Sequence, residues 1–117
     1  MILDESRINE IKSLSGSGEN SLLAEMIESF LVEAPKAMIE IKESIKKSEP
    51  LRLRKAAHKL RGACLNLGAA DLASCCQSLE AKGKAENLME TEPLLAELET
   101  SCAVTSSELT KVRRSIK

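Results

Sequence analysis

The sequence predicts an all-α chain: an antiparallel four-helix bundle with a short N-terminal lid helix, forming one domain over residues 1–117. Three observations predict it. Apolar residues recur in steps of three and four along several separate stretches, the period of a helix with one buried face. Leu and Ile dominate the apolar set and only three Val are present, which points away from sheets. The links between the periodic stretches are short, which favours antiparallel neighbours, and 117 residues suit a single bundle with a real core.

Each element has its own signal. From Asp4 to Ser13, Ile8 and Ile11 make a brief amphipathic lead helix, ended by the loop Ser15, Gly16, Ser17, Gly18. From about Asn20 to Lys47 the apolar positions include Leu23, Ile27, Phe30, Ala34, Ile41 and Ile45. This is one long helix, in which Pro35 removes a hydrogen bond and should kink the axis without ending it. Ser48 then reads as the N-cap of a third helix, with Pro50 in its first turn. That helix, about 49–67, buries Leu53, Ala57, Leu60, Cys64 and Leu67, and Gly68 reads as its C-cap. The fourth carries Leu72, Cys75, Cys76 and Leu79 and should stop at Gly83. Thr91 and Pro93 read as cap and first turn of the last helix, whose seam runs Leu95, Leu98, Cys102, Thr105, Leu109, Val112 and Ile116.

Composition excludes several functions. One aromatic residue rules out stacking platforms for single-stranded nucleic acid, and 17 basic against 18 acidic residues leave no excess for duplex binding. A single His rules out a His-rich metal site and a His acid–base pair. Cys64, Cys75, Cys76 and Cys102 lack ligand spacing and fall on or beside apolar stripes, so they read as reduced core residues of a cytoplasmic protein. No run approaches a membrane span and no signal peptide leads the chain. With Asp4 and Asp71 the only aspartates, and no Gly-rich phosphate loop, the chain offers no nucleotide or metal site of its own.

That leaves the lone histidine. On a helical wheel His58 points away from the buried stripe. Leu51 and Leu65 lie within about 20° of it, Arg54 and Gly62 within about 40°, and Lys55 and Arg61 within about 60°. Gly62 costs about 1 kcal/mol relative to Ala inside a helix, and no turn or cap calls for it there. A missing side chain beside an imidazole leaves room for a close approach. The cations raise the positive potential at the same spot and attract anions, and the two leucines form a small apolar docking patch. A nucleophilic His, a cation, an access glycine and an apolar patch suggest phosphoryl chemistry performed with a partner.

The run Ala57-His58-Lys59-Leu60-Arg61-Gly62-Ala63-Cys64-Leu65-Asn66-Leu67-Gly68-Ala69 resembles the signature of the histidine-containing phosphotransfer domain of two-component phosphorelays. The likeness extends to Leu72, Cys76, Leu79, Glu80 and Gly83, and back to Phe30, Leu31 and Pro35. The resemblance implies a four-helix bundle whose exposed His takes a phosphoryl group from the aspartyl phosphate of one receiver domain and passes it to another. It implies His58 as acceptor, Arg61 as the cation steadying the phosphoryl group, Gly62 as the access residue and Glu80 as the residue orienting the imidazole. The family more often has Lys where Arg61 stands. The docking surface then takes in Leu51, Arg54, Lys55, Leu65 and Ala69. The implied carrier is a cytoplasmic monomer that holds no cofactor, and Mg²⁺ sits on its receiver partners, which include those of hybrid sensor kinases. The alternative reading is a non-catalytic four-helix adaptor or dimerisation module whose C-terminal seam, Leu95 to Ile116, meets another helix.

Overall fold

The computed structural model describes residues 2–14 and 21–116. Five helices lie among the described residues: α1 (Glu5–Leu14), α2 (Ser21–Lys46), α3 (Pro50–Asn66), α4 (Ala70–Lys84) and α5 (Thr91–Ser115). The four long ones form a closed ring in the order α2, α3, α4, α5, since α5 also packs on α2. Ion pairs across α2 and α5, Glu28 with Arg113 at 2.9 Å and Lys42 with Glu99 at 3.4 Å, fix those two as antiparallel. The ring is a rod of 48 × 21 × 20 Å. Its core takes Leu23, Ile27 and Ile41 from α2, Leu53 and Leu60 from α3, Leu72 and Leu79 from α4, and Leu98 and Leu109 from α5. Helix α2 runs without a break through Pro35, which is exposed. The predicted Ser15–Gly18 loop lies outside the described residues.

Helix α1 buries Ile8 and Ile11 and packs on α2. The Asp4 carboxylate caps it by accepting from the Ser6 N–H at 2.9 Å, while the Asp4 N–H donates to the Gly68 carbonyl at 2.9 Å. Arg7 Nε donates to the Asn66 carbonyl at 2.8 Å, so the lid is pinned to the end of α3.

Three junctions share one geometry, a left-handed residue that folds two N–H groups back onto the last turn. Gly68 (φ 75) closes α3 this way, as its sequence position predicts. Ser48 (φ 55) closes α2: its N–H reaches the Ile45 carbonyl and the Glu49 N–H the Ser44 carbonyl. The reading of Ser48 as an N-cap is therefore corrected. It ends one helix, and Glu49 precedes the next without a side-chain cap, ahead of Pro50. Glu86 (φ 56) closes α4. Gly83 does not stop that helix but lies inside it, fully packed: a Cβ there would fall 2.7 Å from the Pro50 carbonyl oxygen and 2.8 Å from the Arg54 nitrogen. Its missing side chain is what lets α3 and α4 touch. Thr91 is likewise not a cap. It is the buried first residue of α5, donating its hydroxyl to the Leu88 carbonyl at 3.1 Å, and Glu90 holds the cap position.

The α5 seam faces inward, with Leu98, Cys102, Thr105 and Leu109 all buried. A partner helix has no free seam to meet, which removes the observation behind the adaptor reading. Cys64, Cys76 and Cys102 are buried free thiols and Cys75 is half-buried. A hydrogen bond with Cys64, and then burial, push the Cys76 thiol well above its ordinary range; burial also raises Cys102. All four pack in or against the core, and Cys76 and Cys102 have little thiolate character.

Candidate functional site

The site is built on the outward face of α3, and the inward face explains why. Leu53, Ala56, Ala57, Leu60 and Cys64 are all buried against the ring, and a 3.6-residue period then forces His58 outward. Its side chain is 65% exposed. Leu51 and Leu65, one on either side along the helix, are 58% and 55% exposed, a large fraction for two leucines on one stripe. Arg54 and Lys55 are exposed as well, and neither forms an ion pair among the described residues. Ala69 departs from the predicted docking set. It is fully buried, because the α3–α4 turn folds it under Gly68, and it cannot touch a partner.

Gly62 sits in open space. A Cβ built on it meets nothing within 4 Å, and its φ is not in the left-handed region. Gly68 is glycine for its dihedral and Gly83 for close packing, but nothing inside the chain asks for glycine at 62.

Across the helix pair, Glu80 reaches from α4 to the imidazole. Its Oε2 lies 2.8 Å from His58 Nδ1, and its side chain is only 18% exposed, wedged between the helices beside buried Leu79 and Gly83. An ionised carboxylate accepts, so Nδ1 must donate. In the neutral ring that fixes the tautomer and leaves Nε2 with its lone pair directed at solvent. Arg61, one turn on from His58, places Nε 3.2 Å from Glu80 Oε1 and Nη2 3.4 Å from Nδ1. Nη2 and Nδ1 are both donors here, so that second contact is an approach and not a hydrogen bond.

Arg52, also on α3, is bound more tightly still. Arg52 forks onto Glu40 with two 2.6 Å bonds and reaches Glu43 at 2.9 Å and Glu49 at 3.4 Å, tying α3 to α2. This cluster and the Arg61–Glu80 contact both escape a one-helix periodicity, which cannot say which residues of two helices meet. So does an open groove of 690 Å³ between α2 and α3, floored by Met26, Phe30, Leu60 and Leu67 and rimmed by Lys59, Glu33 and Glu40. Among the described residues, no group of three or more His, Cys, Asp or Glu is arranged to hold a metal ion, and no helix is long and apolar enough to cross a membrane.

Comparison with known proteins agrees with this architecture. A family model described as the Hpt domain matches residues 25–108. Among solved structures, histidine-containing phosphotransfer protein B from Pseudomonas aeruginosa PAO1 superposes with a TM-score of 0.88 at 19% identity, covering 99% of this chain and 97% of that one. The HPT domain of a sensor hybrid histidine kinase from Shewanella gives 0.78 at 20% identity, with the same coverages of 99% and 97%. At these identities the two structures establish the shared fold. No curated protein matches by sequence.

Proposed function

The chain belongs to the Hpt domain family and is a histidine phosphotransfer carrier of phosphorelays, and on that premise we propose that His58 is the residue that carries the phosphoryl group. The sequence contains one histidine, so a phosphohistidine carrier built from this chain has one place to form it. The observation that supports the assignment best is the pairing of Nδ1 with Glu80 at 2.8 Å on an otherwise exposed ring.

The chemistry follows from that pairing. Nε2 attacks the phosphorus of a receiver's aspartyl phosphate in line with the scissile bond. The N–P bond forms, the P–O bond breaks, and the electron pair leaves with the receiver's carboxylate. No proton needs to move, because Nδ1 keeps its hydrogen. The product ring is a phosphoimidazolium, and the Glu80 carboxylate stabilises its positive charge. The same steps in reverse hand the group to the next receiver, with a neutral imidazole as leaving group.

Gly62 leaves space for the receiver's active site to reach Nε2. Leu51 and Leu65 supply apolar contact, and Arg54 and Lys55 supply cations for the acidic surroundings of a phosphorylatable aspartate. Arg61 adds positive charge at the ring. We assign Mg²⁺ and nucleotide chemistry to the partners and none to this chain, which works as a cytoplasmic monomer between receivers, including those of hybrid sensor kinases. Mixing the protein with a phosphorylated receiver should give acid-labile, alkali-stable label. Absence of label, or label that persists in His58→Gln, would sink the assignment.

A further inference from the structure

Taking His58 as the acceptor, we propose that Arg61 is a positioning residue that acts through Glu80, sharing the carboxylate's charge, and does not contact the phosphoryl group. The geometry carries this. The guanidinium meets Glu80 Oε1 through Nε at 3.2 Å and approaches the ring at Nδ1, at 3.4 Å, the nitrogen away from the one that bonds phosphorus. Glu80 Oε1 is buried and accepts no aligned hydrogen bond among the described residues, so Arg61 is the charge that offsets it there.

A carboxylate 18% exposed between two helices is costly unless compensated. Glu80 has two loads, the ring on Oε2 and the guanidinium on Oε1. Without Arg61, Oε1 has no countercharge and the carboxylate is free to leave the position that holds Nδ1. With Arg61 on Oε1 the carboxylate is held with Oε2 on Nδ1, in place to meet the phosphoimidazolium once it forms. Arg54, Lys55 and Lys59 flank His58 along α3, and Lys82 and Lys84 follow Glu80 along α4. On α2, Glu40 is held by Arg52 and Glu33 lies within ion-pair range of Lys36, leaving neither to replace Glu80.

A double-mutant cycle tests the idea. Wild type, Arg61→Gln, Glu80→Gln and the double variant are phosphorylated by a phosphorylated receiver and by phosphoramidate, and the rates compared. Action through Glu80 gives a loss of about tenfold for Arg61→Gln in the wild type and under twofold in the Glu80→Gln background. The ¹⁵N shifts of the single His ring should report a weakened Nδ1–H bond to Glu80 in Arg61→Gln, and no further change when Arg61→Gln is added to Glu80→Gln. An equal loss in both backgrounds, with unchanged ring shifts, overturns the proposal in favour of direct phosphoryl contact. If Arg61→Gln fails to fold by circular dichroism, Arg61→Lys is read in the same two backgrounds against the same criteria. Label surviving His58→Gln defeats the acceptor reading itself, and is seen without the cycle.

Discussion

The two halves of α3 meet their surroundings in opposite ways. In the first half, Pro50 to Arg54, the backbone lies against Gly83 with no room for a single carbon, and Arg52 is tied to three carboxylates. In the second, His58 to Leu65, Gly62 faces empty space, Leu65 is half-exposed and the imidazole stands in solvent. One helix thus anchors with the inward side of its first half, whose Leu51 and Arg54 still face solvent, and opens around the imidazole in its second. Rigid support on one side is what allows a reactive group to be held at fixed geometry on the other.

Forcing a side chain into the anchored half should have the largest effect. Gly83→Ala places a Cβ against Pro50 O and Arg54 N, both backbone atoms, so the helices must separate. We expect a loss of about 2–3 kcal/mol in urea unfolding, even though Ala is the better helix former. The same class of change in the presenting half should reverse the sign. Gly62→Ala should raise stability by up to about 1 kcal/mol, because nothing in the chain resists the methyl group. Gly62→Gln should lower transfer from a phosphorylated receiver by about tenfold or more, with labelling by phosphoramidate nearly unchanged. Equal losses with both donors would mean that Gly62 serves the chemistry and not the approach.

The smallest effect concerns the Arg52 anchor and acid. The Arg52 hydrogen bond holds the Glu40 carboxyl below the ordinary carboxylate range. A group with a depressed native pKa stabilises the fold while ionised. The contribution is complete above the unfolded value of about 4.3 and is lost as pH falls through the lower native one. Urea midpoints of wild type and Glu40→Gln should therefore differ at neutral pH and converge below about pH 4. A gap that stays constant across that range would remove Glu40 from the anchor.

The presenting half was legible in the sequence because it depends on one helix alone. A 3.6-residue period opposes His58 to Leu53, Leu60 and Cys64 whatever the other helices do. The junctions were less legible. Ser48 is a good N-cap by composition, yet the chain uses it to close α2, since Ile45 and Ser44 offer their carbonyls there. Thr91 is similar: its hydroxyl turns back to Leu88 because the side chain is buried. Gly83 looks like a stop signal until α3 is placed against it. Ala69 enters the docking face with the run that carries the resemblance, and a linear run does not show the turn that buries it. Glu80 came from family resemblance, and its service to Arg61 as well as to His58 emerged only with both helices in place.

The left-handed junctions have a consequence for engineering. Ser48, Glu86 and Glu90 adopt positive φ without being glycine, each at a penalty of about 1 kcal/mol, while a glycine is kept at position 62, where the helix would be better without one. Glycine thus stands where the fold gains nothing from it and is missing from three positions whose dihedrals favour it. The bundle therefore carries unclaimed thermal headroom in its connections, recoverable one residue at a time without altering the surface that receivers meet.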